Sequence, residues 1–257
     1  MTKNIVRPLK LPEGCSVESV FYGSGTLCIS TQAGCHMACP FCASGRAGLM
    51  RNLSVQELEA QVELYPDIEI KRITLSGIGE PLSNLENVEH FISESKYPVS
   101  LTTSVPDASL LKKIIKLKHN GVMLSLHAGS FETHKKLIPK SDSLNLIFEA
   151  MTDIWGEISG NRKRKIGFNY LLFDGINDTD EEISAFIGKM LQFKEATVHL
   201  LLCNHVERSR FRSPDIDLFQ EIYEKMRDAG LNVRRANNWR KEAEGGCGTL
   251  FLKTLQK

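Results

Sequence analysis

Apolar runs alternate with amphipathic stretches along most of this chain, and the alternation predicts repeated strand-then-helix units. The runs that resemble strands are short and end in polar residues, and they lie at 17–22, 25–30, 72–76, 98–104, 121–127, 165–173, 197–202 and 231–235. Helical periodicity falls between them, near 84–95, 107–118, 142–157, 179–193 and 214–229. An earlier helix is expected after Ser54, because Glu57 gives the spacing of a capping box and Leu58 and Val62 continue an apolar stripe.

Repeated units of this kind place parallel strands side by side with helices packed outside them. The units are too few for a closed eight-stranded barrel, so we expect an α/β fold, a partial (β/α)6 TIM-like barrel of six strands or slightly more. No change of composition divides the chain. We therefore predict a lead with a short strand at 1–24, one barrel core at 25–236 and a C-terminal tail at 237–257. Functional residues in such folds lie at the carboxyl ends of the strands.

Composition narrows the class of protein. The 257 residues, 42% hydrophobic and 25% charged, include no run near the roughly 20 apolar residues that span a bilayer, and no signal-peptide core. These features predict a cytoplasmic protein with no membrane partner. Seven cysteines, an odd number without an export signal, predict reduced thiols and no disulfide framework. A net charge of +1 gives no overall attraction for nucleic acid, so such a partner would need local basic patches.

The most specific pattern is a cysteine triplet. Cys35, Cys39 and Cys42 follow a strand-like run in one short loop, with aromatic Phe41 before the last thiol. Three thiolates can bind three irons of a cubic [4Fe–4S] cluster and leave the fourth iron open for chemistry. The alternative is a structural zinc site, which needs four ligands and usually two C-x-x-C pairs. The chain has no second pair, and His36, directly beside the first cysteine, is poorly placed as a fourth ligand.

Polar residues follow several predicted strands, where a site is expected. In Gly77-Ile78-Gly79-Glu80-Pro81 the glycines would let the backbone approach a ligand, and the carboxylate could accept hydrogen bonds from an ammonium group. Three further strands end in Thr102-Thr103-Ser104, Ser125-Leu126-His127 and Cys203-Asn204. Singly, such residues are more often simple turn residues. Four polar strand ends that face one cysteine loop favour a binding site.

Together these residues resemble a known family. The motifs T-L-C-I-S-T-Q-A-G-C-H-M-A-C-P-F-C, G-I-G-E-P-L-S-N, L-S-L-H-A, G-I-N-D-T and G-G-C-G-T-L, between about residues 17 and 250, are similar to those of one enzyme family. These enzymes are the radical S-adenosylmethionine (radical SAM) adenine C-methyltransferases of ribosomal and transfer RNA, the RlmN/Cfr type. The resemblance implies a barrel of the radical SAM type, a [4Fe–4S] cluster, SAM, and an electron donor such as flavodoxin or ferredoxin.

The resemblance also implies a reaction at an sp2 carbon of adenine. One SAM methylates a cysteine matched by Cys247, and a second SAM, cleaved at the cluster, yields a 5′-deoxyadenosyl radical that takes hydrogen from the S-methyl group. The carbon radical adds to the ring. A cysteine matched by Cys28 then resolves the adduct by forming a disulfide with the carrier, and a carboxylate matched by Glu18 accepts the proton. Without the family, Cys28 would be interpreted as a core cysteine in an apolar strand.

Contacts to SAM are implied at positions that match the family's binding motifs. They are Gly79, Glu80, Thr102, Ser125, Leu126, His127 and Asn204. Cys15 and Cys203 match no role and are expected to be structural.

The substrate is less specifically indicated than the reaction. The family's N-terminal helical RNA-binding domain is expected to be missing, because only 17 residues precede Glu18. An RNA partner, ribosomal or transfer, would then depend on local basic groups. They are Arg162-Lys163-Arg164-Lys165, Arg208 with Arg210 and Arg212, and Arg234-Arg235 with Arg240-Lys241 beside Trp239, which could stack a base. A second hypothesis keeps the mechanism but takes a small molecule, nucleotide or peptide, and a third is a non-catalytic iron–sulfur or zinc protein.

Overall fold

The structure is a computed structural model that describes residues 4–46, 48–206, 209–235, 245, 246, 248–250, 253 and 254. In chain order the strands are β1 (Ile5–Lys10), β2 (Cys15–Tyr22), β3 (Thr26–Ile29), β4 (Gln32–Gly34), β5 (Leu49–Asn52), β6 (Arg72–Leu75), β7 (Val99–Thr103), β8 (Gly121–Ser125), β9 (Ile166–Leu172), β10 (Thr197–Leu202), β11 (Asn232–Arg235) and β12 (Lys253–Thr254). The helices are α1 (Ala43–Arg46), α2 (Val55–Glu63), α3 (Leu85–Glu94), α4 (Leu111–Lys116), α5 (Phe131–Leu137), α6 (Leu144–Glu157), α7 (Gly160–Lys163), α8 (Asp180–Met190) and α9 (Ile216–Asp228). Short 3-10 helices lie at Pro81–Asn84, Ala108–Leu110 and Leu191–Phe193.

Ten of the described strands form one sheet, in the order β1-β2-β3-β6-β7-β8-β9-β10-β11, with β12 paired to β2. From β3 to β11 every neighbouring pair is parallel, which makes seven parallel strands. Three pairs of this sheet are antiparallel: β1 with β2, β12 with β2, and β2 with β3. Within the described residues β1 and β11 do not pair with each other, so the barrel is open. The predicted α/β fold and partial barrel are confirmed.

The two faces of the parallel strands differ in chemistry. Large apolar residues alternate outward and join the main core that the helices complete; Leu27, Ile73 and Phe168 are fully buried there. The opposite face carries many small and polar side chains and also apolar Leu171 and Leu201 near the strand ends; its small and polar members include Cys28, Thr74, Thr102, Ser125 and Asn169. We call it the inner face, because it encloses the cavity described below. Because side chains alternate along each strand, the outer face contributes to the stabilising core and the inner face lines the candidate site.

Helix α2 begins as the sequence predicts. Ser54 Oγ accepts a hydrogen bond from Glu57 N (3.3 Å), and Ser54 N donates to Glu57 Oε2 (2.9 Å), so the capping box is confirmed. Farther along α2, the buried Gln61 side chain accepts from Ser30 N (2.8 Å) and donates to Ser30 O (2.9 Å). The helix thereby fixes the end of β3, immediately before the cysteine loop.

Several elements have no counterpart in the sequence prediction. The lead contains two strands and not one. Strand β1 pairs with β2 along its whole length, although β1 includes Pro8. A short hairpin of β4 and β5 closes the cysteine loop, and α5 follows β8. Helix α5 has a mostly polar sequence with too weak an apolar stripe to be recognised; the Ser130 side chain accepts a hydrogen bond from Thr133 N and caps it.

Among the described residues, none of the helices combines the length and hydrophobicity of a segment that crosses a bilayer.

Candidate active site

The cysteine loop is closed by the hairpin of β4 and β5. Cys35 N donates to Gly48 O (2.8 Å), and Gly34, with φ of +83°, lies so close to Gly48 that a Cβ would be 1.9 Å from its carbonyl oxygen. Only glycine permits this approach. The triplet that the loop carries, Cys35, Cys39 and Cys42, lines one cavity at the carboxyl ends of the parallel strands. Its empty volume is about 1190 Å³, which includes the opening to solvent.

The three thiols suit a cluster better than a single metal ion. Burial raises the pKa of Cys35 to about 12 and that of Cys39 well above its usual range, and each thiolate near the others adds repulsion. Only a strongly cationic ligand would keep such a group of thiolates deprotonated. Among the described residues, no three His, Cys, Asp or Glu side chains converge as one metal ion requires. A cubic cluster instead takes each thiolate on a separate iron, and the donor set fits it.

An apolar shell surrounds the cysteine loop. Phe41 packs on Phe173 (ring centroids 4.9 Å apart) and Phe211 (6.2 Å), and it makes a T-shaped contact with the His127 ring (5.6 Å). Buried Met37, among others, completes a second apolar core around these rings. A shell of this kind lowers the local dielectric constant around a bound cluster, which strengthens every charge interaction there.

Most of the strand-end residues expected to bind SAM line this same cavity. They are Gly79, Glu80, Thr102, Ser125, His127 and Asn204. Leu126 is the exception, because its side chain is fully buried and does not line the cavity. The structure therefore brings the cysteine loop and four strand ends together, although the individual contacts to SAM stay predictions.

Close packing explains the glycines after β6, in addition to the access they could give a ligand. A Cβ on Gly77 would lie 2.9 Å from the Ile29 carbonyl group, and one on Gly79, where φ is +107°, would lie 2.7 Å from the Gln32 side chain. Both glycines also line the cavity. They let the loop after β6 pack against the chain that enters the cysteine loop, so the two halves of the cavity wall are held together.

Glu80 is tied to the protein by three donors. Its carboxylate accepts hydrogen bonds from Thr103 Oγ1 (2.6 Å), Ser104 N (2.7 Å) and Leu82 N (3.1 Å). Burial nevertheless raises its pKa to about 7, against the effect of these bonds. A carboxylate has about four acceptor positions, so little capacity remains for the ammonium group that the sequence suggested. Its main structural effect is to join the loops after β6 and β7.

His127 has an unusual backbone conformation at the cavity wall. Its φ is +56°, and Ala38 and Val105, in other loops at this end of the barrel, are also positive. Its Nδ1 atom lies 3.0 Å from Asn169 O and 3.1 Å from Leu171 N. Burial lowers its pKa to about 3, so the ring is neutral at physiological pH. Left-handed conformations of residues other than glycine are costly and cluster at functional sites.

Cys28 lies on the inner face, one strand from the cavity wall. It is 1% exposed, and its Sγ is 3.4 Å from the Oγ of Ser76, which lines the cavity. Glu18 is buried on β2, two residues before Val20, the cross-strand partner of Cys28, so both side chains belong to the same face. No disulfide joins any two of the described cysteines, so the structure does not support the expected disulfide.

Cys247 lies outside the described residues, but residues on both sides of it are described. Tyr22 Oη donates to Gly245 O (3.2 Å), and a Cβ on that glycine would lie 2.7 Å from Val20 on the inner face. Gly248 O accepts from Ala43 N (2.9 Å), directly after the cysteine triplet, and Gly248 lines the cavity. The flanking residues thus pack between the face that bears Cys28 and the cysteine loop.

Cys203 and Asn169 are among the cavity residues to which the sequence assigns no role in the site. Cys203, expected to be structural, lines the cavity and lies 3.4 Å from Ser213 Oγ. Asn169 lines it from the middle of β9. The signal for the first was its place at a strand end. Asn169 could be assigned to the cavity only from the alternation of side chains along β9, once the inner face is known.

The basic clusters that the sequence suggested for RNA binding lie in different parts of the fold. Arg162 to Lys165 precede β9 and so lie at the amino ends of the strands, away from the cavity. Arg162 also donates to Leu117 O, and Lys163 packs on Trp155, so this cluster is partly used within the protein. Arg208, Trp239, Arg240 and Lys241 lie outside the described residues.

Within the last cluster, two adjacent arginines face opposite ways. Arg234 pairs in register with His199, which pairs with Asn169, so it lies on the inner face. Arg235 faces α9, where it stacks on Tyr223 at 4.3 Å. The Arg234 residue is exposed, and its side chain makes no hydrogen bond or ion pair with a described residue.

Comparison with known proteins gives a consistent relationship. The sequence pattern of the Radical SAM superfamily matches residues 29–187. A probable dual-specificity RNA methyltransferase RlmN of Carboxydothermus hydrogenoformans is 32% identical over 96% of this chain and 76% of its own length. One of the same description from Finegoldia magna is 30% identical over 97% and 75%. A radical SAM methyltransferase from Sphaerobacter thermophilus has the same fold, with a TM-score of 0.85, 24% identity and coverage of 96% of this chain and 77% of that one.

Proposed function

The chain belongs to the radical SAM superfamily and, within it, to the RlmN-type methyltransferase family, and from this premise we propose that it methylates an sp2 carbon of adenine in ribosomal or transfer RNA. It is a radical SAM enzyme whose cofactors are a [4Fe–4S] cluster and SAM. When bound, they supply a 5′-deoxyadenosyl radical. The chain's contribution is to hold the cluster by Cys35, Cys39 and Cys42, and to place two further cysteines near it.

The observation that carries the proposal is that described residues on both sides of Cys247 pack against the inner face and the cysteine loop. Gly245 is bonded to Tyr22, and Gly248 lines the cavity together with the cluster cysteines. Cys28 approaches the same cavity through Ser76. A methyl carrier must reach both the cofactor and a resolving thiol, so these contacts support Cys247 as carrier and Cys28 as its partner. A thiolate is a competent nucleophile toward a methyl sulfonium.

Glu18 is proposed as the proton acceptor. It is 5% exposed and shares a face with Cys28, while its backbone oxygen accepts from Ser30 Oγ (2.7 Å). A buried carboxylate on this face is suited to accept a proton close to the resolving thiol, out of contact with bulk water.

RNA would reach this site past β11. Arg234 is a cation on the inner face, and RNA phosphates attract such groups without regard to sequence. The target adenine must leave its stack to enter the cavity, as other base-modifying enzymes require. These features support RNA over a small molecule, which would need no exposed cation at the edge of the barrel.

The test is the mass of the Cys247 peptide, from protein with its cluster intact, before and after incubation with SAM. A gain of one methyl group on this peptide is expected in wild type and in Cys28→Ala, and none in Cys247→Ala. Transcribed ribosomal RNA and transfer RNA are then offered with labelled SAM. Cleavage of SAM with an unmodified Cys247 would refute the methylcysteine route. A methylated Cys247 that transfers nothing to either RNA would instead leave the small-molecule hypothesis.

A further inference from the structure

Asn169 presents an unpaired oxygen to the wall of the cavity. The residue is 4% exposed, it lines the cavity, and its Oδ1 has no hydrogen-bond partner among the described residues. Buried amide oxygens in folded proteins almost always accept a hydrogen bond, because an unpaired one destabilises the fold. The donor can come from water in the cavity or from a ligand that displaces it.

The Asn169 side chain is held at its other end. Its Nδ2 donates to Ser125 Oγ (3.4 Å), the residue opposite it on β8, and its backbone oxygen accepts from Leu126 N (3.2 Å). An amide nitrogen carries two hydrogens, so one further donor remains beside the unpaired oxygen. The side chain thus offers one acceptor and one donor side by side, on a strand that cannot move without disturbing the sheet.

A donor and an acceptor in this arrangement match one edge of adenine. Asparagine pairs with adenine by accepting from the exocyclic amine at N6 and donating to N7. The neighbouring inner-face side chains Leu171 and Leu201, which also line the cavity, give the apolar surface that an aromatic ring requires. Hypoxanthine, the base of inosine, has a carbonyl oxygen in place of this amine and would oppose Asn169 Oδ1 with a second acceptor.

We propose that Asn169 is a specificity residue that recognises an adenine ring in the cavity through its exocyclic amine. This chemistry has two possible sources, the adenosyl group of SAM and the target adenosine of RNA. The second source rests on the proposed function and the first does not. In both cases the residue binds and orients the ring, and no bond is made or broken at the amide.

The first measurement compares two ligands by calorimetry on protein that carries its cluster. S-adenosylhomocysteine should bind about 5–10-fold more tightly than S-inosylhomocysteine in wild type, as one hydrogen bond allows. In Asn169→Leu the preference should fall to about 1. In Asn232→Leu, a matched asparagine that bonds to Thr197 Oγ1 and does not line the cavity, the preference should be unchanged. If the leucine variant does not fold, Asn169→Ser is measured, since a shortened side chain also loses the contact.

The second measurement identifies the source. If Asn169→Leu leaves the preference between the two homocysteine ligands intact but raises the KM for transcribed ribosomal RNA about fivefold or more, the adenine is that of the substrate. Unchanged preference together with unchanged KM overturns the proposal. The calorimetric measurement needs no methyl transfer, so an enzyme inactive on RNA would refute the proposed function and the second source, and calorimetry alone would then decide the inference: an unchanged preference in Asn169→Leu would overturn it.

Discussion

Gly77→Ala tests whether the loop after β6 must pack against the end of β3. An alanine Cβ would lie 2.8 Å from Ser30 Oγ and 2.9 Å from both the carbon and the oxygen of the Ile29 carbonyl. Ser30 Oγ cannot easily move, because it accepts from Ile78 N (2.9 Å) and donates to Glu18 O (2.7 Å). The new methyl group must therefore displace the backbone where two paired strands end.

The expected cost follows from that geometry. Overpacking of this kind costs about 1–3 kcal/mol, and the loss of glycine's freedom in the unfolded chain returns about 0.4–1 kcal/mol. A net loss of about 1–2 kcal/mol corresponds to a melting temperature about 2–8 °C lower in a chain of this length.

Circular dichroism on heating measures the effect, and Gly156→Ala is the matched control. Gly156 lies in α6, and a methyl group at this position would have nothing within 4 Å of it, so the same substitution should raise the melting temperature by about 1–4 °C through helix propensity. If Gly77→Ala melts at or above the wild-type temperature, the close approach of the two loops is not the reason for glycine there.

Three other outcomes are expected. Cys28→Ala and Cys15→Ala remove thiols that are 1% and 2% exposed, so both should lose similar stability, about 1 kcal/mol, but only Cys28→Ala should stop product release, seen as a covalent protein–RNA adduct in denaturing gels. Arg234→Ala should weaken RNA binding and reduce the slope of log K against log salt by about 1, whereas Arg235→Ala should leave the slope unchanged; equal effects would contradict the assignment of opposite faces. Burial raises the pKa of Glu80 from 4.5 to about 7, so between these pH values the folded protein keeps a proton that the unfolded chain releases. The free energy of unfolding should therefore fall as pH rises from 4.5 to 7, by up to about 3 kcal/mol. Urea unfolding of Glu80→Gln should lack this decrease, and identical pH profiles of the variant and the wild type would contradict the prediction.

The parallel barrel could be predicted because its strands and helices carry strong local signals. The run Ile166–Leu172 alternates large apolar residues with Gly167 and Asn169, and the strand forms where the pattern places it. Helix α2 begins at its capping box. The strand β1 was missed because its stability comes from pairing with β2, a contact with no local signature, and Pro8 argues against a strand.

The residues of the candidate site also fall into those that the sequence could predict and those that it could not. The cysteine triplet and the strand-end glycines could be found from spacing, since their chemistry requires those residues close together in sequence. Asn169 could not, because an unpaired oxygen is a property of the folded surroundings and the residue lies within a strand. Leu126 was expected at the cavity from a matched motif, yet it directly follows β8 and its side chain is buried in the main core.

The pairing of β12 with β2 has a consequence for how the protein is made. Lys253 and Thr254 lie opposite Ser16 and Cys15, so a strand synthesised before the parallel barrel is paired by one synthesised after it. While the ribosome is still adding the barrel, the part of β2 at Cys15 and Ser16 lacks its β12 partner, because that strand has yet to be translated. The nascent chain therefore passes through a state in which this end of β2 is unpaired on one side, and the sheet is complete only after the last strand has been made.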